Sequence, residues 1–275
     1  MFDLKKLKYT AVLKCLAATA LSAVLAGTAV SATEQISDDI RSLDNTCIGY
    51  GQGRDTDDNN RPYGAEEFNE RYAGYDACAI LPDDRKEICL TFDQGYENGY
   101  TADILDTLKQ KNVKVVFFLT GDYASREQEL VKRMIAEGHV IGNHGMKHAS
   151  LPTLSCEDAE KEILSLHEYV KENYGCDMKL FRPPCGEYSE QKLALVRSLG
   201  YRTLFWSFAY CDWDVNDQPD KDAALKRTVE AAHNGAVYLL HSVSATNCEI
   251  LPDLIDTLRN EGYDFSVPHF DQSTS

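Results

Sequence analysis

The run Glu87-Ile88-Cys89-Leu90-Thr91-Phe92-Asp93-Gln94-Gly95 is followed by Thr101–Lys111 and then Val113–Leu119. These three stretches decide the fold. Ile88–Phe92 and Val113–Leu119 are β-branched or aromatic runs of strand length, and between them Ile104, Leu105 and Leu108 share one helical face. The same alternation continues. Leu130, Met134 and Ile135 mark a helix over Glu127–Glu137 that ends at Gly138, before a strand His139–Asn143. A longer helix, Glu157–Tyr174, has Ser155 near its start and stops at Gly175. Strands at Lys179–Arg182, Arg202–Ser207 and Ala236–Leu240 then alternate with helices at Glu190–Leu199, Lys221–Ala232 and Glu249–Glu261. Repeated strand–helix units imply parallel strands. About seven of them suit an α/β fold of the distorted (β/α) barrel kind better than a doubly wound sheet.

Outside this core the chain divides by texture. Residues 1–32 read as a secretory signal: Lys5, Lys6, Lys8 and Lys14 precede the apolar stretch Cys15–Ala32, where Val30 and Ala32 form a small-residue cleavage pattern. A retained anchor is the alternative, and the many Ala, Ser, Thr and Gly residues favour cleavage. No later apolar run is long enough to span a membrane. Residues 33–85 form a polar, acidic extension with a turn-rich segment Arg54–Pro62 and a weak helix near Glu66–Tyr72. The main domain covers 86–270 and a short tail 271–275. Lys and Arg total 28 against 44 Asp and Glu, a net charge of −16, so nucleic acid and anionic membrane surfaces are excluded as general partners. Gly-rich dinucleotide and phosphate-binding loops are absent after the strands, which removes those cofactors. The eight Cys beyond the signal contain no C-x-x-C, and their pairing stays open.

Barrels of this type gather their chemistry at the C-terminal strand ends. Five such ends carry polar residues: Asp93-Gln94, His144 to His148, Arg182-Pro183-Pro184-Cys185-Gly186, Asp212-Trp213, and Leu239-Leu240-His241. Singly, each has a bland reading as a turn, cap, surface charge or core histidine. Together and in this order they resemble the polysaccharide deacetylase family, the NodB-homology carbohydrate esterases. The resemblance runs from Glu87 to about Pro268 and is strongest to its delta-lactam-biosynthetic branch, the peptidoglycan N-acetylmuramic acid deacetylases. Phe205-Trp206-Ser207 and Tyr238 to Ser244 also look like that branch.

The resemblance implies a secreted hydrolase that removes N-acetyl groups from a peptidoglycan glycan strand, a step that precedes muramic lactam formation in this branch. It assigns Asp93 as the base, Arg182 as its partner, His241 as the acid and Asp212 as the carboxylate orienting that histidine. It makes His144, His148 and Gln94 ligands of a divalent metal ion (Zn, Mn, Co or Mg). Two imidazoles one helical turn apart face a single ion if that segment is helical. Leu240 is expected to line the acetyl pocket with Leu239, and Tyr188 or Trp213 to contact sugar, while Phe205 and Trp206 are expected in the core. A monomer is expected.

Three positions depart from the family pattern. Gln94 replaces an Asp, so the metal should be weakly bound; Glu97 is a candidate substitute ligand, although a turn role is favoured. Gly145 replaces Ser or Thr and would permit a more mobile loop. Cys185 stands where the muramic branch commonly has Arg. N-acetylglucosamine is therefore the alternative substrate residue, and a non-catalytic glycan-binding protein is the alternative of another class.

Overall fold

The central strand, β3 (Glu87–Gln94), is buried along nearly its whole length, as its mainly apolar stretch Ile88–Phe92 requires of a strand covered on both faces. The computed structural model describes residues 36–82 and 84–268. The signal segment 1–32, the tail 271–275 and His269 lie outside them. Met1–Asp38 and Asp39–Ser275 form separate units, and the second holds everything that follows.

Upstream of β3 lie β1 (Ile48–Gly49), helix α1 (Tyr63–Tyr72) and β2 (Ala77–Cys78). Beyond it come α2 (Thr101–Gln110), β4 (Val116–Leu119), α3 (Gly121–Arg126), α4 (Gln128–Ala136), β5 (Val140–Asn143), α5 (Cys156–Tyr174) and β6 (Leu180–Phe181). The chain continues with β7 (Glu187–Tyr188), α6 (Glu190–Ser198), β8 (Arg202–Leu204), β9 (Phe208–Ala209), α7 (Lys221–Glu230), β10 (Ala236–His241), α8 (Ala245–Asn260) and β11 (Asp264–Phe265).

The main sheet is parallel throughout, in the order β2-β8-β6-β5-β4-β3-β10-β9, with β11 added to the start of β3. Cys89, Val116, Phe118, Leu180, Leu204 and Val237, from five different strands, pack into one cluster. The sheet therefore curls around a common interior as a distorted (β/α) barrel, in agreement with the sequence. The distortion lies between β8 and β9, where one expected strand over Arg202–Ser207 is broken in two. Phe205 N–H bonds the Cys78 carbonyl, whereas Ser207 N–H bonds the Val237 carbonyl. Residues 205–207 thus cross from one side of the sheet path to the other, and no single straight strand can satisfy both neighbours.

The segment before Glu87 takes part in this architecture. β2 pairs with β8, and β1 pairs antiparallel with β7. On α1, Ala65, Phe68 and Tyr72 join Tyr188, Leu193 and Phe205 in a second buried cluster. Aromatic edge-to-face contacts within it add about 0.5–1.5 kcal/mol each beyond simple area burial.

Helix limits follow their caps. Ser155 Oγ accepts the Asp158 N–H at the start of α5, and Gly175, in a left-handed conformation, ends it. α8 begins at Ala245, four residues earlier than its apolar pattern suggests, because Ser244 Oγ accepts the Asn247 N–H and so starts the helix sooner. That shift draws Asn247 into the first turn, beside the strand ends.

One glycine links barrel packing to the site. A Cβ at Gly142 in β5 would enter the Phe118 ring, and Phe118 lies under the Arg182 guanidinium at 4.1 Å. Overpacking of this kind costs about 1–3 kcal/mol. We expect Gly142→Ala to lower the urea midpoint by a corresponding amount with an unchanged m-value; an unaltered midpoint would show that Phe118 moves freely.

Candidate active site

The parallel register of β3 and β10 pairs Leu239 with Thr91 and His241 with Asp93. Because side chains alternate along a strand, these four residues share one face and Phe92 and Leu240 share the other. Leu239 therefore lines the site pocket, and the expected Leu240 is buried behind the sheet. The pocket has a volume of about 560 Å³. Asp93, His144, His148 and His241 form its polar wall, with Trp206, Tyr210 and Trp213 among its aromatic residues.

Arg182 follows β6 and is completely buried. An isolated charge there would be prohibitive, and each guanidinium nitrogen has a partner. Nε donates to the Leu204 carbonyl (3.0 Å) and Nη2 to the Phe205 carbonyl (3.0 Å). Nη1 donates to Thr91 Oγ1 and to Asp93 Oδ1, both at 2.7 Å. Burial by itself would raise the Asp93 carboxyl, but Arg182, His144 and His241 outweigh it and hold the group below its ordinary value. Asp93 is thus a buried carboxylate kept ionised at the pocket wall.

Across the pocket, His241 Nδ1 donates to Asp212 Oδ1 at 2.7 Å, and the His241 backbone N–H donates to Asp212 Oδ2 at 2.9 Å. A carboxylate only accepts, so Nδ1 carries a proton and Nε2 is the site of exchange. Burial lowers the imidazole; the Asp212 hydrogen bond and charge, aided by Asp93, reverse this and raise it above its ordinary value. Sequence reasoning missed the clamp behind this pair. Asn247 Nδ2 donates to Asp212 Oδ2 and to the His241 carbonyl, and Tyr210 Oη donates to Asn247 Oδ1. The signal that could have found Asn247 is Ser244, a capping residue type three positions before it.

His144 and His148 also meet, though not on a helix as their spacing suggested. Residues 144–148 form a loop after β5, with Gly145 (φ 83°) and His148 (φ 57°) both left-handed. His144 Nδ1 donates to the Arg182 carbonyl at 2.8 Å, which leaves the Nε2 lone pair facing His148 Nε2 at 3.2 Å. Burial pushes His144 down to about 4 and also lowers His148, so both favour the neutral, ligating form.

This arrangement fits a divalent ion. Two Zn–N bonds of about 2.0–2.1 Å at a tetrahedral angle place their nitrogens roughly 3.3 Å apart. An Nδ1–H bonded to a backbone carbonyl is the usual support of a ligating histidine. Among the described residues, however, no three His, Cys, Asp or Glu side chains are grouped to hold a metal. Asp93 Oδ2 lies 3.5 Å from His144 Nε2 but is tied to Arg182 through its other oxygen.

Gln94 does not reach the pocket lining. Its Nε2 donates to Ser242 Oγ, and its Oε1 is buried without a hydrogen-bond partner, on the strand face opposite Asp93. Glu97 is committed elsewhere, accepting the Gly99 and Thr101 N–H groups at the start of α2.

The remaining expectations divide. Trp213 is 57% exposed and lines the pocket. Tyr188 is buried against Phe68, Tyr72 and Phe205, because its pairing with β1 turns it into the second core, so it is not a pocket residue. Trp206, expected in the core, packs half-buried against both clusters and also lines the pocket, with its Nε1 held by Gln52 Oε1. All eight described cysteines are free thiols, and Cys185 (φ 59°) is at the pocket rim.

A buried carboxylate facing a carboxylate-supported histidine, with a histidine pair beside them at the strand ends of a barrel, defines a hydrolase of the carbohydrate esterase kind. The chain belongs to the polysaccharide deacetylase family, whose model matches residues 81–204. It is 42% identical over 205 residues to the peptidoglycan-N-acetylmuramic acid deacetylase PdaA of Bacillus subtilis, covering 74% of this chain and 78% of that protein. The solved structure of Bacillus subtilis PdaA, a family 4 carbohydrate esterase, matches with a TM-score of 0.77 at 40% identity, covering 82% of this chain and 96% of that one. A peptidoglycan-N-acetylglucosamine deacetylase of Bacillus cereus is 33% identical over 64% of this chain and 63% of its own length. Enzymes of this family are in general metal-dependent.

Two measurements follow. Asp212→Asn removes the charge that raises His241, so the alkaline limb of kcat/KM should move to lower pH while the acid limb, set by Asp93, stays in place; an unmoved alkaline limb would separate His241 from that limb. With His144 and His148 as the candidate ligands and no group of three among the described residues, metal should be stripped by mild chelation. Tight stoichiometric metal in the unaltered protein would contradict this.

Proposed function

We propose that this chain is an extracytoplasmic hydrolase that removes the N-acetyl group from N-acetylmuramic acid in peptidoglycan. The observation that carries the reading is the neighbouring placement of Asp93 and His241 on paired strands, both facing one pocket. Amide hydrolysis needs a proton acceptor for the attacking water and a proton donor for the departing nitrogen. Asp93, ionised by Arg182, accepts the water proton. His241, kept protonated by Asp212, delivers its Nε2 proton to the sugar nitrogen as the C–N bond breaks, leaving acetate and a free amine. His144 and His148 would hold a divalent ion, whose Lewis acidity would act on the acetyl carbonyl and on water. Leu239 provides an apolar wall for the acetyl methyl, and Trp213 a face for the sugar ring.

The wall location accords with the secretory character of residues 1–32. No helix among the described residues is long and apolar enough to cross a membrane.

A second reading rests on a specific feature. The pocket lining includes no Lys or Arg, and Cys185 stands at its rim. The lactyl carboxylate of muramic acid thus meets no permanent cation, and N-acetylglucosamine, which lacks that group, would fit the same chemistry.

The test is acetate release from intact and amidase-stripped peptidoglycan with added Zn²⁺, Mn²⁺ or Mg²⁺, followed by mass spectrometry of the digested glycan. Loss of acetyl groups from muramic acid supports the first reading, and from glucosamine the second. Asp93→Asn and His241→Ala should each lower the rate by about 10²–10⁴. Binding without acetate release under any of these ions would identify a glycan-binding protein instead.

A further inference from the structure

Glu162 is a carboxylate on the buried face of α5, in line with Ala159, Ile163, Leu166 and Val170, and is only 6% exposed. A negative charge in such a stripe is costly unless it is met by donors. The donors here are the backbone of the histidine loop. Glu162 Oε1 accepts the Lys147 N–H at 2.6 Å and the Ala149 N–H at 3.2 Å, so its two bonds flank His148. The Glu162 main-chain carbonyl accepts the Met146 N–H at 3.0 Å. The Gly145 N–H is taken by Asn143 Oδ1 at 2.9 Å, while Asn143 Nδ2 bonds the Ile163 carbonyl on the same helix. Every N–H from 145 to 149 except that of His148 itself is thus held by α5 or by a side chain anchored on it.

The glycine in the loop fits this arrangement. At Gly145 (φ 83°) a Cβ would stand 2.9 Å from Glu162 Oε1. The left-handed backbone strains any side chain there, and a Cβ would force the Glu162 carboxylate to shift. Gly145 therefore leaves room for the carboxylate that bonds the loop backbone.

We propose that Glu162 is a positioning residue of the His144–His148 pair, holding the intervening loop in the left-handed conformation that brings the two Nε2 atoms to one point. The assignment rests on the reading of that pair as the metal site. It acts through backbone hydrogen bonds, without contact to substrate, and it separates the two ligands' functions. His144 is fixed from β5 and the Arg182 carbonyl, whereas His148 takes its place from α5.

The experiment compares the full protein with Glu162→Ala, Glu162→Gln and Gly145→Ala by two readouts: Zn²⁺ affinity by competition with a chromophoric chelator, and amide hydrogen exchange across residues 145–149. Supporting partners of ligating histidines are typically worth about 10–100-fold in metal affinity. Glu162→Ala should weaken Zn²⁺ by that factor and speed exchange across the loop. Glu162→Gln keeps one oxygen to accept both N–H bonds and should restore affinity and protection close to the original. Gly145→Ala leaves the carboxylate in place but displaces it, and should weaken Zn²⁺ even if Glu162→Ala does not fold. Unchanged affinity in Gly145→Ala or Glu162→Ala, or a Gln variant as impaired as Ala, would overturn the proposal, the last because charge alone would then explain the effect. The exchange readout needs no metal, so a failure of Zn²⁺ to bind the unaltered protein would sink the metal reading while exchange still judges the hold of Glu162 on the loop.

Discussion

A permanent positive charge with no exposed surface has to be surrounded by fixed acceptors, and Arg182 imposes that condition on the barrel interior. It fastens to the backbone carbonyls of Leu204 and Phe205, where the chain leaves β8 and crosses the sheet path, and to Thr91 and Asp93 on the central strand. Its own carbonyl orients His144. One residue thereby couples the break in the sheet, the ionisation of Asp93 and the tautomer of His144. Removing one partner of such a buried pair costs about 3–5 kcal/mol, because the other charge is left unmatched. The pair is better understood as specifying geometry than as adding net stability.

The barrel and most of its site were legible because their signals are local or periodic. Strand-length apolar runs, the Ser155 and Gly175 caps and the polar strand ends could all be read directly. Period two, applied from His241 backwards, also selects Leu239 over Leu240; the expectation failed where that alternation was not applied. Tyr188, which turns into the core, and Trp206, which reaches the pocket as well as the core, depart from expectation for a different reason. Their placement depends on the pairing of β7 with β1 and on the crossing at 205–207, both set by partners distant in sequence.

The supporting residues were less visible still. Asn247 falls outside Glu249–Glu261, the helix its apolar pattern marks, and only the Ser244 cap draws it into the first turn. Glu162 left one readable trace, a carboxylate on the apolar face of a long helix, which asks for buried donors. Gly145 was read by its small size alone, and size says nothing of the neighbour that occupies the space. Single-chain reasoning recovers residues that perform chemistry more readily than residues that hold them, because Asn and Glu occur everywhere and acquire meaning only through contact.

The pairing of β3 with β10 joins strands from opposite ends of the barrel domain. Until the C-terminal part of the chain has arrived, the apolar central strand presents an open row of backbone donors and acceptors along one side. Such long-range closure slows folding. Refolding yield should therefore be governed by competition between docking of this last major strand and association of exposed edges from separate molecules, and a chain truncated before Ala236 would be prone to aggregate.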